Sequence, residues 1–70
     1  MKLVRQHEEW DYIENTYEHN GYTIEETYCN EDDCYHHQAR VLKDNKELLT
    51  FYGNGCLEQA KKYVDSLGDK

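Results

Sequence analysis

The dipeptide Asn20-Gly21 constrains the fold of this chain more than any other feature. Both residue types tolerate positive φ, which the two central positions of a hairpin turn require. Residues 10–19 are rich in Trp, Tyr, Ile and Thr, and residues 22–28 alternate between a mostly apolar side and a polar side. We therefore predict a β-hairpin whose arms are residues 10–19 and 22–28.

Three further elements follow the hairpin. Residues 35–43 and 48–52 are predicted strands, separated by the turn sequence KDNKE. Residues 57–67 are a predicted helix, because apolar residues recur at spacings of three and four and Gly68 ends the pattern. Asn54, Gly55 or Cys56 is expected to cap its first turn.

These elements predict a single α+β domain over residues 1–70, in which an antiparallel sheet of three to four strands packs against one C-terminal helix. Residues 1–9 are expected to be loosely ordered. The predicted core residues beneath the helix are Ile24, Ala39, Val41, Leu49 and Phe51.

Composition excludes several classes of protein. A chain of 70 residues builds only a thin core. It has no apolar run near the roughly 20 residues that a membrane span needs, and its start lacks the apolar region of a secretory signal. We expect a cytoplasmic protein without a membrane partner.

The net charge of −7 is unevenly distributed. Residues 1–35 contain ten acidic and two basic residues, giving −8, whereas residues 36–70 contain five acidic and six basic residues, giving +1. Nucleic-acid binding requires clustered basic residues, so a basic protein surface is the expected partner instead.

The first hairpin holds the candidate binding residues. Glu14, Glu18 and Glu25 are predicted to share its polar face, and Asp11 extends the negative charge. Tyr12 and Tyr17 are interleaved with them, and aromatic residues are frequent at interface hot spots. The face is either simply solvated or a surface that binds a basic partner.

The stretch CNEDDCYHH raises the possibility of a metal site. Cys29, Cys34 and Cys56, together with His36 or His37, would supply a zinc ligand set of three cysteines and one histidine. The spacing does not form paired knuckles, so we predict no cofactor, and a solvated turn with Cys56 in the core is the preferred interpretation. A zinc-stabilised module and a disulfide are the alternatives.

Catalysis is not predicted. The only local nucleophile pair is Cys34 with one of the neighbouring histidines, and a small, thin domain has little room for a closed pocket. The chain is therefore expected not to be an enzyme.

The segments YEHNGYTI and TFYGNGCLEQAKKYVDSL resemble small phage and prophage proteins in which a Gly-Tyr-x-Ile hairpin leads to a closing helix. Some of these resemble phage inhibitors of host defence, including anti-CRISPR proteins. The resemblance implies an acidic, non-enzymatic inhibitor that mimics nucleic acid and binds a nucleic-acid-binding protein in the bacterial cytoplasm. A homo-oligomeric phage protein, for instance a homodimer formed through an edge strand, is a further alternative.

Overall fold

The computed structural model describes residues 1–10, 12–29 and 37–68. Over these ranges the chain forms five strands and a helix: β1 (Lys2–Glu8), β2 (Tyr12–His19), β3 (Tyr22–Cys29), β4 (His37–Lys43), β5 (Lys46–Tyr52) and α1 (Cys56–Gly68). The strands form one antiparallel sheet in chain order. The predicted α+β class, with a C-terminal helix on an antiparallel sheet, is confirmed. The predicted number of three to four strands is wrong.

The additional strand is β1. It pairs with β2 from Lys2 opposite Glu18 to Glu8 opposite Ile13, although these residues are expected from the sequence to be loosely ordered. Its sequence has no two-residue alternation of apolar and polar residues that would predict a strand. The hydrogen bonds to β2 hold it extended. The register shifts between Leu3 and Arg5, which makes Val4 the extra residue of a β-bulge.

Two tight turns connect β2 to β3 and β4 to β5. Asn20 and Gly21 have φ angles of 53° and 84°, as a type I′ turn requires, so the predicted hairpin is confirmed. Its first arm begins at Tyr12, so the prediction that Trp10 belongs to the strand is wrong. Asp44 and Asn45 connect β4 to β5 with φ angles of 53° and 65°. Asn and Asp tolerate this left-handed region better than other residues with a Cβ.

The helix packs on β3, β4 and β5 and closes the core on one side of the sheet. Six residues are 0% exposed there: Ile24, Ala39, Val41, Cys56, Ala60 and Val64. Phe51 packs beside this cluster, with its ring centroid 5.9 Å from that of Tyr63. Leu49 is 40% exposed, so its predicted burial is wrong; it lies on the edge strand β5, where only one strand flanks it.

The start of α1 is determined by backbone hydrogen bonds of the glycine-containing turn. The Gly55 carbonyl accepts a hydrogen bond from the Gln59 N–H at 3.0 Å, and the Cys56 N–H donates to the Gly53 carbonyl at 3.2 Å. Gly55 therefore takes the cap position, and Cys56 points into the core from the first turn. No helix within the described ranges could span a membrane.

Replacing Ile24 with alanine should lower the free energy of unfolding by about 2–5 kcal/mol, because the change leaves a cavity in a core that cannot collapse fully. Urea unfolding monitored by circular dichroism measures the loss. If this variant does not fold, Ile24→Val should still cost about 0.5–1.5 kcal/mol. The matched control is Leu48→Ala at an exposed position of β5, which should cost less than about 1 kcal/mol. Equal losses at the two positions would contradict this account of the core.

Candidate binding face

The side of the sheet opposite to α1, which we call the outer face, carries the candidate binding residues. Residues directly opposite each other on paired strands point to the same side, so the register defines three rows across this face. The rows are His7, Glu14, Thr27, Gln38 and Tyr52; then Arg5, Thr16, Glu25, Arg40 and Thr50; then Lys2, Glu18, Thr23, Leu42 and Glu47. None of these residues is buried.

The three predicted glutamates therefore share one face. Glu14 and Glu18 lie on β2, and Glu25 lies on β3 opposite Thr16. Tyr12 lies at the end of the same face, with its ring centroid 6.4 Å from that of His7. Asp11 lies outside the described residues.

Tyr17 lies on the other side of the sheet. It is opposite Ile24 and packs against the core cluster, so it does not contribute to the surface that the glutamates form. The physical reason is the two-residue period of a strand, which sends position 17 away from positions 14, 16 and 18. The alternation in the sequence is sufficient to detect this.

Basic side chains flank the glutamates on both sides, which the sequence analysis does not predict. Lys2 and Arg5 of β1 lie beside β2, and Arg40 of β4 lies beside β3. The three rows contain four carboxylates and three basic side chains, so the outer face carries only a small part of the net charge of −7. Glu14, Glu18 and Glu25 therefore form an acidic band that is one to two strands wide, on β2 and β3.

The glutamates of this band differ in how they are paired. Arg40 donates from Nη2 to Glu25 Oε1 at 2.9 Å, and its Nη1 lies 3.8 Å from Glu47 Oε1. Glu14 and Glu18 have no ion pair with any residue in the part of the chain that the structure describes. Their carboxylates are therefore the ones available to a partner.

A shallow depression crosses β1, β2 and β3 on the outer face. Its volume is about 60 Å³, and its lining consists of Arg5, His7, Glu14, Thr16, Glu25 and Thr27. The volume is well below the roughly 300 Å³ at which small-molecule pockets begin. The depression has room for the end of one side chain.

The helix-side face contains a polar network that the sequence analysis does not identify. Gln6 donates to Asn15 Oδ1 at 3.0 Å, and Asn15 donates to Glu26 Oε1 at 3.3 Å. Tyr17 donates to the same oxygen at 3.4 Å, and His37 Nε2 lies 2.9 Å from Glu26 Oε2. Glu26 is only 8% exposed, and these contacts satisfy its carboxylate. Its position in phase with Ile24 is the sequence signal for its burial.

The cysteines are in different environments. Cys56 is a free cysteine in the core, as the preferred interpretation predicts. Cys29 ends β3 and is disulfide-bonded, so at this cysteine the structure contains the disulfide, which is the alternative and not the preferred interpretation. Cys34 and His36 lie outside the described residues. A sulfur in a disulfide is not a thiolate ligand, so the predicted zinc set would require the reduced chain. No three candidate ligands converge among the described residues.

Burial changes the acidity of two groups beside Glu26. Desolvation raises the pKa of the Tyr17 phenol, and the negative charge of Glu26 raises it further. Desolvation also raises the pKa of the Cys56 thiol, again with a smaller contribution from Glu26. A buried thiol with a raised pKa is a poor nucleophile. Cys56 lies in the core cluster, and Tyr17 packs against it.

Comparison with protein families, curated proteins and solved structures finds no match to this chain.

The raised pKa values predict that alkaline pH destabilises the fold. Cys56 has an ordinary pKa of 9.0 and Tyr17 one of 10.0, and both are higher in the folded chain. The unfolded chain therefore loses these protons first, so the stabilisation is complete below pH 9 and is lost as pH rises through the folded pKa values. Urea unfolding at a series of pH values from neutral to alkaline tests this.

The Cys56→Ala variant is the control, because it removes one of the two groups. Its stability should fall less steeply than that of the wild type in the range just above pH 9, where the thiol titrates. If the stability of the two proteins has the same dependence on pH, the raised pKa of Cys56 does not contribute to the alkaline loss.

Proposed function

We propose that this chain is a non-enzymatic protein-binding module whose outer face binds a basic surface of a partner. The observation that carries the proposal is that Glu14 and Glu18 of β2 have no ion pair among the described residues and lie on a sheet face that no described element covers. The backbone of a paired strand needs little further ordering on binding, and charge complementarity increases the association rate.

The width of the acidic band limits the shape of the partner. Adjacent strands are about 4.8 Å apart, so carboxylates on β2 and β3 form a band of roughly 5–10 Å. Lys2, Arg5 and Arg40 border this band and would repel a broad basic surface. A partner that presents a narrow ridge of Lys and Arg side chains, such as one face of a helix, fits the arrangement best.

The partner class follows from the resemblance to phage inhibitors. A narrow basic ridge is a common feature of proteins that contact a phosphate backbone. We therefore propose a nucleic-acid-binding protein of the bacterial cytoplasm as the partner, with the outer face competing for its basic site.

The test is affinity capture from a bacterial lysate with tagged wild-type chain and with the variants Glu14→Lys and Glu18→Lys. Each reversal should weaken capture of the partner at least about tenfold, because a like charge then faces the basic ridge. Raising the salt concentration from about 0.1 M to about 1 M should also release the partner, since the Debye length falls from about 10 Å to about 3 Å.

The matched control is Glu58→Lys, which makes the same change in net charge at an exposed position on α1. It should leave capture unchanged. Glu25 is not used, because its reversal would also break the ion pair with Arg40. Equal capture by the wild type and both outer-face variants would overturn the proposal.

A further inference from the structure

Trp10 is the most exposed large apolar side chain of the described residues, at 86%. It lies in the connection between β1 and β2. The other exposed large apolar residues are Met1 and residues within the two edge strands β1 and β5. Tryptophan is highly buried on average in folded proteins, so an indole with this exposure contributes little to the core. The indole is therefore available for contact with a partner.

The turn that carries Trp10 is held in place by its neighbours. The Glu9 N–H donates to the Tyr12 carbonyl at 2.8 Å, and the Glu9 carboxylate contacts His7 Nε2. The pairing of β1 with β2 continues up to Glu8 opposite Ile13, immediately before the turn. Glu9, directly before Trp10, is thus hydrogen-bonded to Tyr12, which lowers the entropic cost of using the indole in an interface.

The surroundings of Trp10 specify the chemistry of its binding site. Glu8 and Glu9 precede it directly, and both are exposed. An anionic membrane surface or a nucleic acid would be repelled by these carboxylates. The same hairpin carries Tyr12 and Glu14 on its outer face, so Trp10 lies two residues along the chain from the first of them.

We propose that Trp10 is an anchor that inserts into an apolar pocket bordered by basic side chains on the partner protein. The inference rests on the proposed function, because it concerns the same partner. A large, rigid indole that becomes fully desolvated is the type of residue that dominates interface energetics. The carboxylates of the outer face would then align the basic ridge while Trp10 supplies the apolar contact.

The test uses the protein that the wild-type chain captures at about 0.1 M salt and releases at about 1 M, after its identification by mass spectrometry and purification. Titration should give a dissociation constant at least about 30-fold weaker for Trp10→Ala, as for a hot-spot residue. Trp10→Phe should recover part of the affinity. The control Leu49→Ala, at an exposed apolar residue on the side of the sheet away from the outer face, should bind like the wild type.

A second readout follows from Trp10 being the only tryptophan. A chain labelled with 5-fluorotryptophan gives one ¹⁹F resonance, which should shift and become protected from solvent when the captured protein is added. Unchanged melting of Trp10→Ala would show that the fold is intact.

Each outcome has a defined meaning. Loss of binding in Glu14→Lys with full binding in Trp10→Ala would overturn the anchor and leave the proposed function standing. A ¹⁹F shift on phosphatidylcholine vesicles but not on the captured protein would overturn it in favour of a lipid surface. If the wild type captures no protein in a Glu14-dependent manner, both proposals fail.

Discussion

The apolar contact between α1 and the centre of the sheet is the interaction on which the rest of this structure depends. Ala39 and Ala60 are small and fully buried, which lets the helix backbone approach the sheet closely, and the larger Ile24, Val41 and Val64 fill the space around them. A chain of 70 residues can build only one such layer. One face of the sheet therefore serves folding, and the other face is left without a covering element among the described residues.

The covered face is not uniformly apolar. The network around Glu26 takes the place of apolar packing along one row of the helix-side face, and it links the first four strands through side-chain hydrogen bonds. A buried carboxylate is tolerated only where such partners are present, so Asn15, Tyr17 and His37 are as much a requirement of the fold as Ile24. Strand parity places Tyr17 on the helix-side face, where its hydroxyl joins this network.

The elements that local rules determine could be predicted from the sequence. The Asn20-Gly21 turn, the apolar period of the helix and the common face of Glu14, Glu18 and Glu25 depend on neighbouring residues or on strand parity. The strand β1 could not be predicted, because pairing with β2 holds it and its own pattern does not. The flank formed by Lys2 and Arg5 could not be predicted for the same reason, since these residues reach the outer face only through that pairing.

All four threonines of the chain lie on the outer face, whereas Ile24, Val41 and Val64 lie in the core on the other side. Methyl NMR of a chain labelled at Thr, Ile and Val, titrated with the captured partner, therefore tests directly whether the two faces have separate roles. The account predicts that the resonances of Thr16, Thr23 and Thr27 shift or broaden while those of the three core residues do not. Shifts confined to the core methyl groups, with unchanged threonine signals, would contradict it.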